Sequence, residues 1–286
     1  MEKITFLGLG HMGAAMCELL LKAGYPMNTV VHRTRTTAER LNREYGLEIK
    51  DSYPDAFREA DVIVSCLPFN YTVRDVFLNE ENVKAMKPGT VILEMTSSQQ
   101  QLMEEVDAFV KPHGIHLVDA PVSGVPGTFL VMASGEQEVV EKSKPILLSM
   151  GREVVYCGAA GVGSLIKSLN NLMLAVDTMA VAECANILRD HPEVDPQQFA
   201  QIIEGSSGYS KAFGYSFLRR YINHDETVVH EYCSISKDMK NALDACKTAV
   251  VPMSMFSYEL MRLHSEYDHE DANSVYKIYT EHCNKK

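Results

Sequence analysis

The chain opens on a short apolar run, Lys3-Ile4-Thr5-Phe6-Leu7, then a glycine-rich turn, then an apolar helical pattern over 14–23. A run of that length bounded by glycine predicts a buried strand, and the spacing after it predicts a helix ended by Gly24. Strand-like segments recur at 28–32, 62–67, 91–94, 115–120, 130–133 and 153–156. Helical spacing fills the stretches between them at 37–45, 72–77, 99–110 and 139–148. Such alternation predicts an α/β fold with a mostly parallel, doubly wound sheet and helices on both faces.

The pattern changes after Gly158-Ala159-Ala160-Gly161-Val162-Gly163. Residues 164–189 read as one long helix, apolar nearly all round (Leu169, Leu172, Met173, Leu174, Val176, Met179, Val181), and such a helix is expected to be buried. Further helices are expected at 196–204, 210–221, 236–249, 253–267 and 273–283, with no strand pattern among them. The reading is therefore two domains: a first at 1–162 and an all-α second at 163–286, joined by the long helix. A length of 286 residues agrees, since it exceeds what one ordinary core holds.

Charge and composition narrow the function. The net charge of −11, with no run of basic residues, excludes a nucleic-acid stripe, so an anionic ligand must be held by local groups. The strand pattern begins within three residues of Met1, which leaves no signal-peptide pattern, and no stretch reads as the roughly 20 apolar residues that span a bilayer. A cytoplasmic location and no membrane partner are expected. The seven cysteines are scattered, with no C-x-x-C pair, and read as reduced core positions. His113 and His116 are close in sequence but flank a probable turn at Gly114, so no metal site is expected.

The turn Gly8-Leu9-Gly10-His11-Met12-Gly13 is a G-x-G-x-x-G that follows a strand and opens a helix, the context in which this spacing binds a dinucleotide. Gly8 permits the tight turn, Gly10 lets backbone approach a pyrophosphate, and Gly13 lets helix pack on strand; the helix N-terminus then faces the phosphates. After the second strand comes Val31-His32-Arg33-Thr34-Arg35, with no acid before Glu39. An NAD site usually has an acid there for the ribose 2′-hydroxyl, whereas arginines suit a 2′-phosphate. NADP is expected, with NAD left open.

Four motifs in order extend the picture: Gly8 to Met16; Asp119-Ala120-Pro121-Val122-Ser123-Gly124; Gly161-Val162-Gly163-Ser164-Leu165-Ile166-Lys167-Ser168-Leu169-Asn170-Asn171; and Ser236-Lys237-Asp238-Met239. Together they resemble the short-chain β-hydroxyacid dehydrogenases, the family of 3-hydroxyisobutyrate dehydrogenase, tartronate semialdehyde reductase and the glyoxylate/succinic semialdehyde reductases. The resemblance spans nearly the whole chain and implies a Rossmann-type first domain and hydride exchange between NAD(P) and a small 3-hydroxy acid, semialdehyde or 2-oxo acid. It implies Lys167 as general acid/base, a role open to lysine because burial and a nearby cationic ring both favour the neutral amine. It places Asn171 beside it, four residues on along one helical face, and Asp238 as the group that orients Lys167. Ser123 and Gly124, in a turn, are implied to bind the substrate carboxylate; Leu67, Pro68, Thr96 and Ser97 to wall the nicotinamide site; Lys237 to contact the cofactor. Leu9, His11, Met12, Arg33 and Thr34 complete the implied cofactor set.

The chain departs from the family pattern in three places. The stretch Ser123 to Phe129 is shorter than usual, His230 stands where an aromatic is usual, and Lys211 stands where tryptophan is frequent. These changes imply an altered, more polar pocket. Two other readings compete: an imine-reductase-like enzyme, disfavoured because such enzymes replace the lysine, and a catalytically silent NADP-binding module, disfavoured because a pure binder needs none of Lys167, Asn171, Ser123 and Asp238. The broad apolar helix further predicts a homodimer or homotetramer.

Overall fold

The computed structural model describes residues 1–30, 35–214, 217, 232–247, 255, 258, 259 and 262, with the side chains of 232–234 left aside. The chain divides into two compact units, Met1–Ser168 and Leu169–Lys286.

The first unit is built on strands β1 (Ile4–Leu7), β2 (Met27–Val30), β3 (Glu48–Lys50), β4 (Val62–Ser65), β5 (Val91–Glu94), β6 (His116–Asp119), β7 (Val122–Ser123), β8 (Phe129–Gly135) and β9 (Gly151–Gly158). Their spatial order is β3-β2-β1-β4-β5-β6-β8-β7, with β9 on β8. The pairs from β3 through to β6 are parallel, β8 runs antiparallel to β6 and β7, and β9 lies parallel to β8. The order reverses between β1 and β4, and in doubly wound sheets ligands bind outside the carboxyl ends of the strands at that reversal.

Helices α1 (His11–Lys22), α2 (Arg35–Tyr45), α3 (Tyr53–Phe57), α4 (Asn70–Phe77), α5 (Glu80–Ala85), α6 (Gln100–Val110) and α7 (Gln137–Leu148) supply the crossovers. β1, β2 and β4 are buried at every position, because helices cover both faces of a parallel sheet. Two cores result. One gathers Ile4, Phe6, Met16, Leu20, Val64, Leu93 and Phe129, the other Leu7, Phe57, Ile63, Phe77, Ile92 and Val106.

Sequence reading missed β3, α3, α5 and β7. β3 is a three-residue edge strand with no buried position, so it lacks the apolar signal of its neighbours. α3 is announced by a cap, Ser52 accepting the Asp55 N–H at 3.3 Å, and by Pro54 in its first turn. β7 turns the expected loop at Ser123 into a hairpin. Val125-Pro126-Gly127-Thr128 closes it, with Gly127 at φ +85° and the Thr128 N–H on the Val125 carbonyl at 3.0 Å, the geometry of a type II turn.

A single helix, α8 (Val162–Arg189), runs from the first unit into the second, which continues through α9 (Pro196–Glu204), the short α10 (Lys211–Phe213) and α11 (Tyr232–Asp244). α8 packs Ala175, Met179 and Ala182 against Ile235 and Met239, and Val181 and Ala185 against Phe213 and Phe217. Contrary to the sequence expectation, α8 is not wholly buried. Met173 is 63% exposed and Ile187 57%, because the described residues supply neighbours to only part of its circumference. By length and hydropathy alone this 28-residue helix would also cross a bilayer, contrary to the sequence expectation. Lys167, Asp177 and Glu183 lie along it, charges that a hydrocarbon core takes in only at high cost.

α11 ends at Asp244, earlier than the expected 249. The strand end at 31–32, Arg33 and Thr34, and the helices expected at 253–267 and 273–283 lie outside the described residues, a few single positions apart. Cys17 is buried, as a core thiol should be, and burial pushes it up to about 12. Cys184 and Cys246 are exposed and fill no core.

Candidate active site

The glycine turn does in space what its spacing requires. Gly8 has φ +90°, and a Cβ there would lie 2.1 Å from the Cys66 carbonyl oxygen, so the turn admits only glycine. A Cβ on Gly13 would lie 1.8 Å from the Gly8 oxygen, which is how closely α1 seats on the turn. Gly10 is different: nothing lies within 4 Å of the position its Cβ would take. It is exposed, it precedes α1, and no side chain caps that helix and no acid occupies its first turn. Open space beside uncapped N–H groups at a positive helix end is a cradle for a pyrophosphate, so these residues fit a dinucleotide.

Across the reversal point, Leu67 and Pro68 follow β4, and Thr96 and Ser97 follow β5. The structure ties the two loops together: the Leu67 N–H donates to Thr96 Oγ1 at 2.8 Å. Leu9 is buried, Met12 half-buried and His11 exposed at the start of α1. Arg35 begins α2 and pairs with Glu39 at 3.2 Å, while remaining largely exposed.

Lys167 lies on the second turn of α8 and is 9% exposed. A network not foreseen from sequence fixes the helix start that carries it. Asp119, wholly buried at the end of β6, accepts the Ser164 N–H at 2.9 Å, the Ser164 hydroxyl at 2.7 Å and the Ser134 hydroxyl at 2.9 Å. Ser134 in turn accepts the Gly163 N–H at 3.0 Å. A Cβ on Gly163 would fall 2.3 Å from the Met132 oxygen, so this glycine is what lets α8 meet β8. Burial pushes the Asp119 carboxyl up to about 6 against the pull of these hydrogen bonds. A carboxylate at a helix N-terminus also complements the helix dipole. The motif containing Asp119 and the glycines before α8 were visible in sequence, but their partnership was not, since Ser164 lies forty-five residues from Asp119.

Ser123 is the last residue of β7, paired with Leu130, and Gly124, at φ +110°, leads into the tight turn; the serine thus stands on a strand, not in a turn as expected. In the second unit, Asn171 donates its amide to Asp238 Oδ2 at 2.5 Å, and Lys237 Nζ lies 3.2 Å from Asp238 Oδ1. Asp238, 4% exposed, therefore aims Asn171 and anchors Lys237.

Comparison with known proteins places the chain in a family. Residues 3–158 match the family model for the NAD binding domain of 6-phosphogluconate dehydrogenase, and 161–279 match that for the NAD-binding of NADP-dependent 3-hydroxyisobutyrate dehydrogenase. The chain is 30% identical to an NAD-dependent L-serine dehydrogenase of Pseudomonas aeruginosa over 98% of each protein. It is 32% identical to a probable 3-hydroxyisobutyrate dehydrogenase of Mycobacterium bovis over 73% of this chain and 71% of that protein. Among solved structures, 3-hydroxyisobutyrate dehydrogenase of Mycobacterium tuberculosis with L-serine superposes with a TM-score of 0.87 at 28% identity, covering 98% of this chain and 99% of that one. An imine reductase from Myxococcus stipitatus, at 17% identity and TM-score 0.61 over 94% of this chain and 95% of its own, shares the fold alone. Two matched domains in sequence order, together with a relative aligned end to end, establish that the chain belongs to the β-hydroxyacid dehydrogenase family of NAD(P)-dependent oxidoreductases.

Proposed function

We propose that this protein interconverts a small 3-hydroxy acid and the corresponding semialdehyde, with NADP preferred over NAD. L-serine and 3-hydroxyisobutyrate, the compounds in its relatives' names, are both 3-hydroxypropanoates that differ only in the substituent at carbon 2. A primary hydroxyl two carbons from a carboxylate is the shared substrate chemistry. The observation that carries the reading is Lys167, a lysine 9% exposed on a helix start fixed by four hydrogen bonds around Asp119 and Ser134. A lysine is held at such a site for a use other than solubility.

Oxidation of the hydroxyl needs a base for its proton, and reduction of the aldehyde needs an acid at the same oxygen. Lys167 takes that proton in one direction and returns it in the other. Asn171, aimed by Asp238, hydrogen-bonds the reacting oxygen, and the Ser123 hydroxyl and Gly124 N–H receive the carboxylate. The nicotinamide group, when bound, accepts or delivers the hydride. Gly8, Gly10 and the start of α1 hold the pyrophosphate, with Leu67, Pro68, Thr96, Ser97 and Lys237 as further contacts. Arg33 and Arg35 would receive the 2′-phosphate, with Thr34 as a further cofactor contact. Support for NADP is the missing acid between Val31 and Glu39; one relative is named as NAD-dependent and one family model as NADP-dependent.

Steady-state kinetics with L-serine, 3-hydroxyisobutyrate, small semialdehydes and 2-oxo acids, each with both cofactors, test this. The expected result is turnover of a 3-hydroxy acid with kcat/KM higher for NADP, and a gap that Arg33→Ala narrows by roughly 1–3 kcal/mol. Equal or better use of NAD sinks the preference, and no turnover of any 3-hydroxy acid or semialdehyde sinks the substrate class. The exposed side of α8 supports a homodimer, which light scattering decides.

A further inference from the structure

Glu94 closes β5 with no exposed surface, and the chemistry above makes no use of it. A buried carboxylate is costly unless hydrogen bonds compensate it. Its Oε1 accepts the Thr96 N–H at 2.8 Å and its Oε2 accepts the Ser65 hydroxyl at 2.5 Å. The Thr96 hydroxyl oxygen then accepts the Leu67 N–H. Neither of these loop N–H groups is given to the sheet ladder; both end, directly or through one hydroxyl, on this carboxylate. The surrounding backbone is already committed, with the Met95 N–H on the Ser65 oxygen and the Ala120 N–H on the Glu94 oxygen, both at 2.8 Å.

We propose that Glu94 is the positioning residue of the cofactor-cleft wall formed by Leu67, Pro68, Thr96 and Ser97, and that it acts through Thr96. The proposal rests on reading those four residues as cofactor contacts. It goes beyond that reading by assigning the buried group that sets the spacing of two loops from adjacent strands. Side-chain anchoring of this kind matters because a contact displaced by about 1 Å loses much of its value.

Charge supplies the handle for a test. Burial pushes the Glu94 carboxyl up to about 7, hydrogen bonds from Ser65 and Thr96 pull it down, and the carboxylate of Asp119 on the neighbouring strand adds to the rise. Asp119, the register partner of Glu94 on β6, is the charged group that bears on it. Ionised Glu94 accepts from Ser65 and Thr96 together; protonated Glu94 must donate one of those bonds, so the latch loosens as pH falls through about 7.

The test is the NADPH dissociation constant of the full chain, wild type and Glu94→Gln, by calorimetry from about pH 5.5 to about pH 8.5. As pH drops across the neutral range the wild-type constant is expected to rise roughly 3–10-fold more than that of Glu94→Gln, whose side chain at 94 cannot titrate. Asp119 is present in both proteins and does not separate them. Glu94→Ala, if it folds by circular dichroism, is expected to weaken NADPH roughly 10-fold while kcat at saturating cofactor and substrate stays within about threefold. Superimposable pH profiles for wild type and Glu94→Gln overturn the proposal, as does a folded Glu94→Ala with unchanged affinity. If wild type binds neither NADPH nor NADH, the cofactor reading itself falls and the proposal with it.

Discussion

β1, β2 and β4 of the first unit are buried at every residue, whereas the long helix α8, just as apolar by composition, leaves Leu169 at 44%, Met173 at 63% and Ile187 at 57% exposure. The difference lies in who provides the cover. A doubly wound sheet brings its own crossover helices, so each strand arrives with covering layers encoded next to it in sequence. A helix of 28 residues outruns the partners that the described residues place against it. The first unit therefore covers its own strands, while α8, fixed at its start, packs one side and leaves another exposed.

That contrast can be broken most sharply at Lys167, on the fixed end of α8. Lys167→Ala is expected to lower kcat roughly 10²–10⁴-fold while cofactor affinity barely moves. Lys167→Arg should fail almost as badly, because guanidinium keeps its proton. Near-normal turnover in the arginine variant would leave only an electrostatic role. Next in size are the turn glycines. Gly8→Ala forces a Cβ into the Cys66 carbonyl at a positive φ and should cost several kcal/mol of stability. Gly10→Ala meets nothing in the protein, so it should melt like wild type but bind NAD(P)H at least about tenfold more weakly. Equal effects from both substitutions, read by thermal melts and calorimetry, would mean that the open space at Gly10 is not the phosphate cradle.

The exposed side of α8 is tested by Met173→Lys. If a second copy covers that side, light scattering at micromolar concentration should show the dimer giving way to monomer, with melting of the first unit little changed. A wild-type monomer would instead make the openness of α8 a property of the isolated chain. Smallest is a stability effect at Glu94. Its folded value of about 7 lies above that of an exposed glutamate, so the native state holds the proton more tightly than the unfolded one. The stability this confers is complete at acid pH and is lost as pH rises through about 7, by an amount on the order of 1–3 kcal/mol. Glu94→Gln, which never ionises, should gain in Tm relative to wild type as the pH is raised from about 5 to about 8. A constant difference would mean that Glu94 does not titrate in the folded protein.

Much of this was legible in the chain itself. Ile4–Leu7, Val62–Ser65 and Val91–Glu94 announce themselves because a strand covered on both faces must be apolar throughout. The roles of Gly8, Gly10 and Gly13 follow from spacing because they are local: strand, turn and helix are contiguous, and backbone sterics act over a few residues. The family resemblance singled out Lys167, Asn171, Ser123 and Asp238 and set Asp238 to orient Lys167; the structure shows Asp238 receiving Asn171 and pairing with Lys237.

Only the tertiary structure decided how those residues are held. That Asp119 fastens Ser164, that Ser134 receives Gly163, that Glu94 receives Ser65, and that Asp238 aims Asn171 are pairings between elements distant in sequence. No periodicity reports them, because each depends on which strand lies beside which and in what register. The same holds for the hairpin that puts Ser123 on a strand and for the uncovered side of α8. Hydrophobic pattern says that a surface must be covered; packing alone determines by what.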